Sequence, residues 1–271
     1  MPSLATLATT QLVKGLYLGA PGSGKTGSLT SLVKAGYKLR IYDFDNLLGS
    51  LIQFARRECP DKLENVIAQT FTDRLKGVPV PAMMIGGYAK VLPFIDGQPT
   101  AFIDGLKQLS YWKTESEDLG NPSEWGRDTF VIIDSLTSLS ESAFRYAQAL
   151  NPAGKETQAY YFTAQQLVKN TISLLTSKDF ATNVLVLAHI DYAQNEQGIQ
   201  KGFPRTIGSA LNGVVGGYFN SIFLAESVGS RRQIRTTGSG IIDLKSPVSF
   251  SVPEVLPLET GLATFVEAIR S

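Results

Sequence analysis

Positions 12–18 read LVKGLYL, a short β-prone run that leads through GAPGSGKTGS into a stretch, 25–35, whose spacing fits a helix. A second strand is predicted over 37–44 (YKLRIYDF). It is followed by an amphipathic segment, 46–57, in which Leu47, Leu48, Leu51, Ile52 and Phe54 recur at helical spacing. The pattern breaks at 73–100, where Pro79, Pro81, Pro93, Pro99 and Gly86-Gly87 punctuate residues with no sustained period. Helical spacing resumes over 101–112, a polar loop spans 113–128, and the apolar strand TFVIID ends at Asp134. Two helical stretches, 136–149 and 156–177, precede a second continuous apolar run, NVLVLAH, which ends at His189. After a polar loop, 191–205, come a short helix near 207–213 and strand-like runs at 218–225, 231–237 and 247–252.

Alternating strands and helices predict an α/β fold with a mainly parallel central sheet, and the two continuous apolar runs fit its buried central strands. The last three runs are too close together for crossover helices, so the C-terminal strands are expected to be antiparallel. A length of 271 residues suits one α/β domain, 1–271, with an irregular insertion at about 73–128 that Trp112 and Trp125 pack down.

With 43% hydrophobic and 18% charged residues, the composition excludes a disordered or fibrous chain. The 25 Lys and Arg against 24 Asp and Glu leave +1, so no global field recruits nucleic acid or an anionic membrane, and any such contact is local. A single cysteine, Cys59, excludes an internal disulfide and a cysteine-based zinc site. A single histidine, His189, excludes multi-histidine metal centres and speaks against a Ser-His-Asp triad. A cytoplasmic, reducing setting is expected. The start, MPSLATLATTQLVKG, shows no basic segment followed by a long apolar core, and no run approaches the ~18 apolar residues of a membrane span, so neither export nor a membrane span is expected.

The segment Gly19-Ala20-Pro21-Gly22-Ser23-Gly24-Lys25-Thr26 matches G-x-x-x-x-G-K-[ST], with a predicted strand before it and a helix after it. Such a match arises by chance in about one of 100 chains of this length. The chemistry follows from the residue types. Glycines, with Gly27 just beyond, let backbone N–H groups turn around the phosphates of ATP, and the helix N-terminus adds a positive dipole end. Lys25 reaches the β and γ phosphates, and Thr26 ligates Mg²⁺.

Asp134 stands at the carboxyl end of a central strand, where α/β sheets bind ligands, and is the expected second Mg²⁺ partner. The bland alternative is that it caps the helix beginning near Leu136, but Ser135 can also cap, so the two roles need not compete. Asp43 and Asp45 leave the second strand in IYDFDN. One of them can orient the attacking water, although this pattern is also a common way out of a strand. His189 is either a satisfied packing residue or a sensor of the γ-phosphate that informs the loop 191–205. Arg231, Arg232 and Arg235 are either a solvated strand face or cations offered to a neighbouring subunit's phosphates. Lys201, Arg205, Phe203 and Tyr192 combine charge with stacking as a single-stranded DNA candidate, which Asp191 and Glu196 partly cancel.

The order of P-loop, Asp-x-Asp strand end, VIIDS, LVLAH, polar loop, IGSALN and YFNSIFLAE resembles the RecA-type recombinase core. It is similar in particular to the short phage-encoded RecA-like ATPases of single-strand annealing and recombination, over Lys14 to Pro253. The resemblance implies a RecA-like P-loop NTPase core that binds ATP and Mg²⁺. It places Asp45 where the family has a water-activating Glu, one methylene longer, and His189 where a polar sensor, usually Gln, ends the strand. It makes 191–205 the DNA-contacting loop, Gly208-Ser209-Ala210-Leu211 the helix start after it, and Arg232 and Arg235 the basic strand that enters the next subunit's ATP site. It further implies filaments or rings, cooperation with a single-strand DNA-binding protein, and a host-cell cytoplasm. The chain departs from the family in its insertion and in lacking a separate basic DNA-binding domain, as in a core-only member. Rival expectations are a hexameric helicase or packaging motor, a nucleotide-gated assembly module with little turnover, and, more weakly, a small-molecule kinase.

Overall fold

In the computed structural model, which describes residues 12–74, 96–151, 157–194, 198, 200–238 and 240–271, strands and helices alternate as the apolar pattern requires. The first part of the chain holds β1 (Lys14–Gly19), α1 (Lys25–Ser28), α2 (Thr30–Lys34), β2 (Lys38–Asp43), α3 (Gly49–Glu58) and β3 (Val66–Thr70). The middle holds α4 (Ala101–Ser110), β4 (Trp112–Lys113), β5 (Asp118–Gly120), β6 (Thr129–Asp134), α5 (Leu136–Leu150) and α6 (Thr157–Thr176). The last part holds β7 (Asn183–Ala188), β8 (Ile190–Gln194), β9 (Gln200–Pro204), α7 (Ser209–Val215), β10 (Ser221–Val228), β11 (Arg231–Arg235), β12 (Val255–Pro257) and α8 (Gly261–Arg270).

Eight strands form one sheet in the order β12-β11-β10-β1-β7-β6-β2-β3. The six from β10 to β3 are all parallel, whereas β11 and β12 add antiparallel at one edge. The expected antiparallel C-terminal strands are therefore β11 and β12, while β10 pairs parallel with β1, Gly19 opposite Ala225. The parallel register also sets Asp43 opposite Asp134. This puts the ends of β1, β2, β6 and β7 along one edge, where a parallel sheet binds ligands.

Period-two alternation sends side chains to two cores. Leu16, Leu18, Tyr42, Val131, Ile133, Val184 and Val186 face α4, α5 and α6. Tyr17, Leu39, Ile41, Phe130, Ile132, Leu185 and Phe223 face α1, α2, α3 and α8. At the end of β1 away from the glycine loop, Lys14 is buried and its Nζ donates to the carbonyls of Leu175, Phe180 and Thr182 at 2.6–2.9 Å. Burial pushes its pKa down to about 7, yet three carbonyl acceptors are matched only by the three donors of the ammonium form.

Several expectations change in detail. The helix expected over 25–35 is two pieces, α1 and α2, joined through Leu29. The run 247–252 is a turn, because Pro247 and Pro253 bracket it and deny it a ladder. The polar loop 191–205 is largely an antiparallel hairpin, β8–β9; residues 195–197 and 199 lie outside the described residues. Of the expected insertion, 75–95 lies outside the described residues. Its flanks meet: Asp96 N donates to Arg74 O at 2.7 Å. Beside them the buried Asp73 carboxylate accepts from Ala101 N at 3.0 Å and pairs with Arg145 Nε at 2.6 Å. The remainder is ordered structure. Phe102, Leu109 and Trp112 join the core, and Trp112 stands edge-on to Trp125 at 5.9 Å, as expected of those two tryptophans. Among the described residues no helix is long and apolar enough to cross a membrane.

Candidate nucleotide-binding site

The loop between β1 and α1 turns on Gly22 and Gly24, whose φ values of 76° and 95° are left-handed and suit glycine. At Gly24 space is limiting too, since a Cβ there would lie 2.6 Å from Leu258 Cδ2 and 3.4 Å from Arg232 Cδ. The first N–H groups of α1 have no intrahelical acceptor and no side-chain cap, so they remain available at the loop. Within the loop Ser23 N donates to Ala20 O at 3.2 Å, while the buried Ser23 Oγ has no protein partner.

Lys25 is buried, and its Nζ donates to the carbonyls of Gly19 at 2.6 Å and Ala20 at 3.1 Å. Burial lowers its pKa to about 8, opposed by the charges of Asp134 and Asp45. Thr26 Oγ1 donates to Asp134 Oδ2 at 2.9 Å, so the two expected Mg²⁺ partners, 108 residues apart in sequence, meet. Asp134 is pushed up to about 7, first by burial, then by the Asp45 charge, with the Thr26 hydrogen bond pulling the other way. A buried carboxylate facing a hydroxyl beside a glycine loop with free N–H groups fits Mg²⁺, which takes few protein ligands and completes its shell with water or ligand oxygens. Among the described residues no three His, Cys, Asp or Glu side chains gather as a metal cluster.

The two carboxylates leaving β2 are distinct. Asp43 Oδ1 accepts from the backbone N–H groups of Asp45 and Asn46 at 3.1 and 2.7 Å and shapes the exit from the strand. Burial is the main cause of its raised pKa. Asp45 instead accepts at Oδ1 from Ser135 Oγ at 2.9 Å, and its charge is felt by both Lys25 and Asp134. The cap of α5 is Ser135, which accepts from Ser138 N at 3.4 Å, so Asp134 is left for Thr26. His189 is half-buried with Nδ1 unpartnered. Burial and the Lys25 charge lower its pKa, while Asp45 and a hydrogen bond to the Gly19 backbone raise it. Lys25, Thr26, Asp45, Asp134 and His189 are thus brought together.

Of the remaining expected residues, Arg232 borders the glycine loop and the others are engaged elsewhere. Arg235 is held by Glu226 through Nε at 3.0 Å and NH2 at 2.9 Å. Arg232 lies over Gly24 of its own chain. With Gly27, Thr30, Phe54, Arg57 and Leu258 it lines a cleft of about 110 Å³ beside α1. A Cβ on Gly27 would meet the Phe54 ring at 2.9 Å, and the buried Thr30 Oγ1 in this cleft has no protein partner. The sequence showed Phe54 only as a helical apolar position. On the hairpin, Lys201 pairs with Asp243 at 3.0 Å and Arg205 with Asp191 at 3.8 Å, Tyr192 is exposed and Phe203 half-buried.

No protein-family model matches the chain, and no curated protein matches it. Among solved structures it is similar to a RadB recombinase, at 12% identity and a TM-score of 0.41, over 83% of this chain and 81% of that one. It is also similar to an ATPase from the type III secretion system of pathogenic bacteria, at 10% identity and a TM-score of 0.43. That match takes in 80% of this chain and 53% of the other, so the chain spans about half the length of that ATPase.

Proposed function

We propose that the chain, as one unit over 1–271, is a P-loop ATPase of the RecA type that binds ATP with Mg²⁺ and hydrolyses it slowly. The observation that carries this reading is the Thr26–Asp134 hydrogen bond at 2.9 Å beside a buried Lys25, in a loop that follows a parallel strand. Lys25 leaves the Gly19 and Ala20 carbonyls for the β and γ phosphates, and the loop N–H groups, with Ser23 Oγ, hold the remaining phosphate oxygens. Thr26 and Asp134 would hold Mg²⁺, which supplies charge neutralisation on the β and γ oxygens. Asp45, steadied by Ser135, orients water for in-line attack, and the neutral His189 ring hydrogen-bonds on the γ side. The nucleoside occupies the cleft between Phe54, Thr30 and Leu258, with Arg57 and Arg232 at its mouth. To act on a neighbour's phosphates, Arg235 must first leave Glu226.

The same reading extends to single-stranded DNA at the hairpin 191–205, to self-association into a filament or ring, and to phage recombination or annealing alongside a single-strand DNA-binding protein in the host cytoplasm. The motif order supports these assignments. A second reading, a nucleotide-gated assembly module with little turnover, is favoured by one observation: the Asp45 carboxylate is short and already engaged by Ser135. A processive motor is the third. Steady-state ATP hydrolysis with and without single-stranded DNA, with Lys25→Ala as control, separates them. DNA-stimulated turnover that the variant loses supports the proposal. ATP binding without turnover supports the assembly module, and fast turnover with translocation the motor.

A further inference from the structure

The junction between β6 and α5 does more than end a strand. Asp134 meets Thr26, Ser135 holds Asp45, and two residues later the buried Thr137 reaches the opposite way. Its Oγ1 donates to Arg205 O at 3.1 Å and accepts from His189 N at 3.3 Å. His189 and Arg205 are the two ends of the β8–β9 hairpin, and they are bonded to each other, Arg205 N to His189 O at 2.8 Å. One hydroxyl therefore closes the neck of the hairpin with both its donor and an acceptor lone pair in use.

We propose that Thr137 is a positioning residue that couples the hairpin to the nucleotide site, using the first turn of α5 as the common mount. This rests on the reading of the P-loop as an ATP site. The physical argument is one of slack. The turn cannot shift alone, because Leu136, Leu139 and Ser140 are buried beside it and Ser135 caps it. A rearrangement of Asp45 or Asp134 around a bound nucleotide that moves this turn is therefore passed through Thr137 to the neck. Valine has nearly the same volume and would pack as well, so the packing alone does not require a hydroxyl at this position. Without it the His189 N–H and the Arg205 carbonyl lose a partner and the neck is free to move independently.

The test is hydrogen–deuterium exchange of peptides covering 189–194 and 200–205, with and without ATP and Mg²⁺, in the wild type, Thr137→Val and Thr137→Ser. ATP binding is measured in parallel. In the wild type, nucleotide changes exchange at the neck. Thr137→Val binds ATP with unchanged Kd, yet its nucleotide-dependent change in exchange falls at least about fivefold. Thr137→Ser, which keeps the hydroxyl but drops the methyl, restores it, a rescue that a packing role alone does not predict. Thr137→Ala removes the same hydroxyl without adding a methyl and gives the same readout if the valine form does not fold. ATP binding with no response at the wild-type neck, or with a full response in the hydroxyl-less variants, overturns this proposal alone. No ATP binding by the wild type overturns the nucleotide reading and this one with it.

Discussion

Asp134 shows what a buried carboxylate costs the fold. Burial, with Asp45 beside it, raises its pKa from 3.8 to about 7, so the folded chain binds a proton that the unfolded chain has released between those values. Stability attributable to this group therefore falls as pH rises from about 4 to about 7, and stays low above that. Removing the charge with Asp134→Asn is expected to stabilise the nucleotide-free protein by on the order of 3 kcal/mol at pH 8 and by clearly less at pH 5. Under the proposed function the same variant is expected to lose Mg²⁺-dependent ATP turnover. Thermal unfolding at the two pH values checks this, and an equal gain at both contradicts the assignment of the shift to Asp134. Asp134, Lys25 and Thr26 stand out as candidates in the sequence because motif and strand end coincide, and the fold brings Thr26 and Asp134 into contact. The residues alone left Asp43 and Asp45 open and only the family resemblance put Asp45 forward, because what separates the two is Ser135, 90 residues away, reaching Asp45. That contact exists only once Asp43 and Asp134 are in register.

Long apolar runs were the readable elements. TFVIID and NVLVLAH became β6 and β7 with few changes, because buried central strands need side chains that are apolar on both faces. Short or half-exposed segments were not. β3 (VIAQT) is an edge strand with only partial burial, and its pattern is too weak to stand out. α8 carries Leu262, Phe265, Val266 and Ile269 at helical spacing, a signal present in the sequence but beyond the stretch of family resemblance. The irregular composition near 73–100 hid an anchor. Asp73 is the hub where β3's exit, the start of α4 and Arg145 of α5 converge. Arg145→Met strands a buried carboxylate and is expected to cost about 3 kcal/mol, more than Asp73→Asn, which keeps a side-chain acceptor for Ala101 N. Denaturant unfolding of both variants tests this order, and a loss below about 1 kcal/mol for Arg145→Met contradicts the anchor.

Across the molecule, the parallel sheet gathers the chemistry at one edge while the two cores hold its faces. Residues from the ends of β1, β2, β6 and β7 meet there, although none of those strands carries a site alone. The near-neutral charge balance leaves any recognition to local groups, and in the proposed reading these are Lys25 and the loop N–H groups for phosphates, Phe54, Arg57 and Arg232 around the adjoining cleft, and the hairpin beyond Thr137. All of these roles depend on ATP occupying the glycine loop with its phosphates on Lys25. Calorimetric titration of ATP with Mg²⁺ into the wild type and Lys25→Ala tests this most directly. Saturable binding at one site per chain that Lys25→Ala abolishes is the expected result. Absent binding to the wild type, or equal binding to both, would contradict it.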